Sequence, residues 1–383
     1  MGPWHPQRGP LYFFNSLLGR MVMPLTGRIP VAVLGATGSV GQRMLALLDG
    51  HPWFRLGSVT ASERSAGRVY GEVARWVLPT PIPEEVAGME VRATGPALEE
   101  RLLFSALDAS VAGSVETEYA ERGHVVVSNA RNHRMDPDVP LLVPEVNPDH
   151  LDLVARQSFG GGAIITNPNC STIGMVLALA PLHQAFGVER VNVVTLQAIS
   201  GAGIPGVAGL QIVDNVVPFI SGEEEKLETE PLKILGELAD GLVAPAPLTV
   251  SAQCNRVPVV DGHTLCISVE LGRAVSAEAI IDAWDSFRGE PTALGLPSAP
   301  SRPVVYVDEP DQPQPRTHRD LGSGMSVAVG RLRPCPLLGW KFVTTSHNTV
   351  RGAAGGALLC AELAVARRAV EGLRDFKGGS SGS

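Results

Sequence analysis

The chain is short of positive charge: 31 Lys and Arg stand against 39 Asp and Glu, a formal net charge of −8 over 383 residues. A nucleic-acid binder needs a basic footprint, so nucleic acid is not expected as a partner, while a local anion site stays open. Long apolar runs are missing too. No stretch reaches the roughly 18 uninterrupted apolar residues of a membrane helix, and no membrane partner is expected. Cysteine is sparse and forms no CxxC pair. Cys170, Cys254, Cys266, Cys335 and Cys360 are odd in number and widely spaced, which suggests neither a disulfide framework nor a zinc site; no metal is expected. Repeats and low-complexity segments are absent apart from the GGSSGS end, a flexible-linker composition, and 374–383 are read as a tail. The apolar patch of the N-terminus is short and broken by Asn15, Ser16 and Gly19. Residues 1–27 therefore read as a loose extension before a cytoplasmic body, with a weak signal sequence as the alternative.

What is present is an ordinary globular balance, 44% hydrophobic and 18% charged residues, in a chain longer than the roughly 250–300 residues at which single cores stop growing. Two domains with a cleft between them are expected. From Ile29 a continuous apolar run leads into GATGSVG and then into Val40, Met44, Leu47 and Leu48 at helical spacing, which reads as buried strand, loop and helix. Strands at 55–59, 102–107 and 125–128 follow, alternating with helical stretches such as 112–121. Alternation of this kind implies a doubly wound parallel α/β sheet. After Cys170 the pattern changes: 171–186 reads as helix, then strands at 190–198, 252–257, 262–270, 303–306, 326–332 and 340–345 suit a second, sheet-based domain. A strand is also expected at 140–144, and an alanine-rich helix over 351–373 returning to cover the first domain.

Gly35, Gly38 and Gly41, with Thr37, Ser39 and Val40 between them, join strand to helix where absent side chains let backbone N–H groups approach a pyrophosphate. The spacing is GxxGxxG rather than GxGxxG, and the competing reading is a tight turn without a ligand. About 20 residues on, an NAD site expects an acid for the ribose hydroxyls. Here Glu63 is flanked by Ser62, Arg64 and Ser65, a basic, hydroxyl-rich set suited to a 2′-phosphate, so the expected cofactor is NADP; a solvated loop is the alternative. Cys170 follows an apolar strand at 163–166 in the polar turn NPNCST and precedes a helix, a position that favours thiolate.

Taken together, GATGSVG, SERSAG, NPNCST, LQAISGAG, EEEKLETEPLKIL, NRVPVVDGHT and NTVRGAAGG resemble, in order and over nearly the whole chain, the aspartate-semialdehyde dehydrogenase family in its archaeal and fungal form. The resemblance implies a glyceraldehyde-3-phosphate dehydrogenase-like fold: an α/β Rossmann-type dinucleotide-binding domain over 28–170, completed by a helix within 346–373, and an α+β catalytic and dimerisation domain over 171–345. It implies NADPH-dependent reduction of β-aspartyl phosphate to aspartate semialdehyde and phosphate through a thioacyl group on Cys170, in lysine, threonine and methionine biosynthesis, by a homodimer or homotetramer. His263 matches the acid/base histidine and Gln197 the substrate-orienting glutamine; Asn169 is a candidate for oxyanion stabilisation. Arg256 matches the carboxylate-binding arginine, Arg134 and Lys233 the phosphate-binding positions, and Glu230 the acid that receives the amine. Ser105, Ala106, Ser200, Gly201, Gly203 and Asn348 join the cofactor contacts, although His347 stands before Asn348 where some relatives carry aspartate. Two alternatives are a malonyl-CoA reductase of the same fold and a non-catalytic dinucleotide-binding redox sensor.

Overall fold

A computed structural model describes residues 27–95, 98–370 and 373; the extension up to residue 26 and the 374–383 tail lie outside the described residues. The first sheet is built from β1 (Ile29–Leu34), β2 (Phe54–Ala61), β3 (Val91–Ala93), β4 (Leu102–Ser105), β5 (Val125–Ser128) and β6 (Ala163–Thr166). All its neighbours are parallel, in the order β3-β2-β1-β4-β5-β6. That is the doubly wound order with a switch point at β1/β4, where ligands bind beyond the carboxyl ends of the strands. Helices α1 (Ser39–Leu48) and α2 (Ala109–Glu121) are two of its crossovers. The central strands are buried on both faces, which is why they read as unbroken apolar runs.

Helix α3 (Cys170–Phe186) leaves the end of β6 and is apolar all round, as a helix enclosed on every side must be. It packs on the second sheet, formed by β7 (Val188–Gln197), β10 (Thr249–Arg256), β11 (His263–Leu271), β12 (Val304–Val307), β13 (Val327–Cys335) and β14 (Gly339–Ser346). Its order is β10-β7-β11-β14-β13-β12, with parallel pairs at both ends and antiparallel pairs between. Helix α4 (Glu223–Ile234) lies against β10, a small hairpin of β8 (Glu237–Ala239) and β9 (Leu242–Ala244) follows it, and α5 (Ala277–Ser286) packs on α3. After β14 the chain turns through the wide helical turn Val350–Ala354 into α6 (Gly355–Arg367), whose side chains fill the core of the first sheet.

Two sequence expectations need correction. Residues 140–144 form no strand: Pro140 and Pro144 lack the N–H a ladder needs, and only the single bridge Leu141–Thr166 forms. The regular C-terminal helix is Gly355–Arg367 rather than 351–373, because its first turn is the wider Val350–Ala354 and Arg368 takes the left-handed conformation that ends a helix. Among the described residues, no helix is long and apolar enough to cross a membrane.

Candidate active site

A cavity of about 1140 Å³ opens beyond the carboxyl ends of the parallel strands and extends to the edge of the second sheet. Its cofactor end begins at the glycine loop. Gly35 has φ +74, and a Cβ there would lie 2.6 Å from the Ala106 carbonyl oxygen, so neither the conformation nor the space admits a side chain. Gly38 caps α1 without a side-chain bond, and the first turn of that helix carries no acid; its N–H groups are left for an anion. Thr37, Gly38, Ser39, Val40 and Ala106 line the cavity, as do Ser62, Glu63 and Arg64 at the end of β2. Three expected contacts fall elsewhere. Gly41 packs under the loop against Gly35 and Ala36. Ser105 is fully buried and donates to Glu116 Oε1 at 2.6 Å. Ser65 stands outside the lining, its backbone N–H closing a turn onto the Ser62 carbonyl. The cradle fits a dinucleotide: backbone donors for the pyrophosphate, and a cation with a hydroxyl at the β2 end for a 2′-phosphate.

Strand register builds the reactive end. Gln197, last in β7, pairs with Arg256, last in β10, and β11 opens with His263 beside them. Cys170 starts α3, and its Sγ lies 3.2 Å from His263 Nε2. Gly352 closes the other side, where a Cβ would sit 2.6 Å from Cys170 Cβ. The backbone N–H of Ala198 donates to His263 Nδ1 at 3.0 Å. A backbone amide can only donate, so Nδ1 must accept, and a neutral ring then carries its proton on Nε2, facing the sulfur. Burial, with Arg256 adding, takes His263 down to about 3. Burial, with Glu223 adding, pushes the Cys170 thiol up to about 12 against the opposing pull of Arg134, Lys226 and Arg256. Enclosure thus works against the thiolate expected at a helix N-terminus: the terminus contributes only about 0.3–1 kcal/mol, and burial outweighs the three cations as well.

Asn169 is the N-cap of α3. Its Oδ1 accepts from Ser171 and Thr172 N–H at 2.9 and 3.2 Å, and its Nδ2 donates to both Glu223 oxygens at 3.0 Å. With its donors engaged, Asn169 holds the turn and is no oxyanion donor. Glu223, unmarked in the sequence reading, is the hub: it also accepts from Gln197 Nε2 at 3.2 Å and Lys226 Nζ at 2.7 Å. Burial works to raise the Glu223 carboxyl, but Lys226, Asn169 and Gln197 outweigh it and the net displacement is downward. Arg256 gives one N–H to the Ala198 carbonyl at 2.7 Å and lines the cavity; Ser200, Gly201, Gly203 and Asn348 line it as well, and Asn348 Nδ2 donates to Ser200 Oγ at 2.8 Å.

The Glu230 and Lys233 assignments do not survive. Lys233 Nζ donates to the carbonyls of Arg134, Asp136 and Val139 at 2.7–2.8 Å and does not line the cavity. Glu230 lies behind the wall, where Oε1 accepts from Arg134 Nη1 and Oε2 from the Asn169 backbone N–H, both at 2.8 Å. Arg134 itself reaches the cavity. The acid and lysine that face it are Glu223 and Lys226, one heptad earlier on α4. Lys233→Met is expected to lower the melting temperature, since each orphaned buried carbonyl costs about 1–3 kcal/mol. Lys226→Met should lower melting less than Lys233→Met, because Glu223 keeps its Asn169 and Gln197 donors, and raise KM for the anionic substrate by roughly tenfold. Thermal unfolding and steady-state kinetics of both variants check this; the reverse pattern would restore Lys233 as the substrate lysine.

A glycine-loop cleft that runs to a half-buried cysteine against a buried histidine defines a class, the dinucleotide-dependent oxidoreductases with a cysteine at the reactive end of the cofactor cleft. Residues 30–154 match the NAD binding domain of semialdehyde dehydrogenases and 179–351 their dimerisation domain. The aspartate-semialdehyde dehydrogenase of Methanothermobacter thermautotrophicus is 53% identical over 88% of this chain and 98% of its own, and that of Saccharomyces cerevisiae 44% identical over 90% and 100%. The crystal structure of the Candida albicans enzyme with NADP superposes with a TM-score of 0.82 at 44% identity, covering 90% of this chain and 100% of that one. The chain belongs to the aspartate-semialdehyde dehydrogenase family.

Proposed function

We propose that this protein is an NADPH-dependent aspartate-semialdehyde dehydrogenase that converts β-aspartyl phosphate to aspartate semialdehyde and phosphate, as a cytoplasmic homo-oligomer in amino-acid biosynthesis. The observation that carries the reading is the 3.2 Å contact of Cys170 with His263 inside a cavity ringed by Arg134, Lys226, Arg256 and Glu223. Cations suit the phosphate and α-carboxylate, with Arg256 offering a planar fork to the latter; Glu223 suits the ammonium. As substrate enters, the Cys170 thiol passes its proton to an oxygen of the substrate's phosphate group, the group that departs, and the sulfur attacks the acyl carbon. The C–O bond to phosphate breaks, phosphate leaves with the electron pair, and a thioester remains on Cys170. The backbone N–H of Cys170, first in α3, has no intrahelical acceptor and serves the developing oxyanion. NADPH, when bound, supplies the hydride that reduces the thioester carbon. The tetrahedral alkoxide then collapses with loss of the C–S bond, and His263 Nε2–H stabilises the departing thiolate.

Phosphate-dependent reduction of NADP by aspartate semialdehyde tests this directly; turnover of malonyl-CoA with none of aspartate semialdehyde would overturn it. Arg64 at the β2 end is proposed to read the 2′-phosphate. Arg64→Met should weaken NADP by about 10- to 100-fold, the range of one charged hydrogen bond, and leave NAD nearly unaffected; equal losses in direct binding titrations would remove Arg64 from that role.

A further inference from the structure

A second cavity, of about 1060 Å³, adjoins the first across the Ser200–Gly203 loop and Thr349. We infer that it is a separate binding site for a small carboxylate- or phosphate-bearing molecule with an apolar body. Four guanidinium groups line it, from Arg43 on α1, Arg75, Arg316 and Arg319, against one carboxylate in the lining, Asp261. Arg319 is engaged: it donates to the Asp261 carbonyl at 2.9 Å and stands 3.7 Å from Asp320. The side chains of Arg43, Arg75 and Arg316 make no hydrogen bond and no close ion pair among the described residues.

Arg43 is the telling member. Its Nε is buried with no acceptor, and burial works against its charge, with Asp261 and Asp320 compensating in part and Arg319 opposing. The enclosed Nε is out of a ligand's reach, but Arg43 lines the cavity with no acceptor engaged by its side chain, which leaves its terminal N–H groups for an oxygen from outside the chain. Three guanidinium groups that line one cavity without a close carboxylate partner suit the oxygens of a carboxylate or phosphate. The remaining walls are apolar, with Leu78, Pro79, Ile204 and Val260 among them, which suits a ligand with a hydrocarbon or planar body over a bare inorganic ion. None of this depends on the reaction proposed for Cys170.

The test is calorimetric titration of the full chain, held saturated with NADP, with isophthalate and, separately, with phenyl phosphate; the two probes distinguish carboxylate from phosphate as the preferred head group. One site per chain is expected for at least one probe. Arg43→Met and Arg316→Met should each weaken it about tenfold or more, while Arg134→Met, in the first cavity, should leave it unchanged. Benzyl alcohol, with the ring and no charge, should not bind. Arg316 is exposed, so its variant remains informative if loss of Arg43 impairs folding. Binding that is lost in Arg134→Met and retained in Arg316→Met would place the probe in the first cavity and overturn the inference. Absence of binding for both probes at millimolar concentration would do the same.

Discussion

Cys170→Ala should stop turnover, by on the order of 10⁶-fold, because Cys170 is the one thiol lining the cavity among the described residues and removal of a nucleophile forfeits the whole covalent route. NADP binding should persist, since the glycine loop and the β2 end that would hold it lie at the other end of the cavity. The raised thiol adds a second measurement. With Cys170 pushed up to about 12 by its surroundings, alkylation of the wild type by iodoacetamide should accelerate about tenfold per pH unit between pH 7 and 9, as for any thiol titrating above that range. A rate already level at pH 7 would reveal a preformed thiolate and displace the neutral pair inferred from burial. Wild-type-like activity in the Ala variant would remove Cys170 from the mechanism.

His263→Asn should lower kcat by about 10²- to 10³-fold, the loss that follows removal of one positioned hydrogen-bond donor. The amide retains an N–H but cannot match the ring's reach between Ala198 N–H and the Cys170 sulfur, which the imidazole spans with 3.0 and 3.2 Å contacts. His263 is therefore expected to act as an Nε2–H donor to sulfur rather than as a base that receives the thiol proton at Nε2, because the Ala198 amide donates to Nδ1. Nitrogen-15 shifts of His263 should therefore report Nε2 protonated in the wild type; a proton on Nδ1 would restore the general-base role. Stability supplies a further check. A folded-state value near 3, below the ordinary histidine value of 6.5, means the unfolded chain binds more protons in that window, so stability falls as pH drops from about 6.5 toward 3. The Asn variant should lose less stability than wild type over that range, and a collapse of its melting temperature at neutral pH would mark His263 as structural.

Much of the fold was legible because its signals are local. The first sheet appears as apolar runs punctuated by glycine, and strands 102–107 and 125–128 sit within two residues of the observed β4 and β5. The edge strand Val91–Ala93 and the hairpin of Glu237–Ala239 with Leu242–Ala244 were missed: three residues are too few to show a period. Burial of the ring that faces Cys170 was equally out of reach, since His263 lies 93 residues away in sequence and meets the sulfur only through the register of β7, β10 and β11.

Sequence alone determined the class of chemistry: a glycine loop between strand and helix, a cysteine in a polar turn before a helix, and a basic, hydroxyl-rich segment after β2 each act through a few neighbouring residues. It could not choose between Glu223 with Lys226 and Glu230 with Lys233. Both are acid–lysine pairs three residues apart, and the second repeats the first after seven residues, about two helical turns, so the two pairs share a face of α4 and differ by roughly 10.5 Å along its axis. Helical periodicity is blind to that translation. Only the packing of α4 against β10 and α3 decided which turn opens on the cavity and which is buried behind it, leaving Glu223 and Lys226 to face the substrate and Glu230 and Lys233 to hold Arg134 and the 134–139 backbone in place.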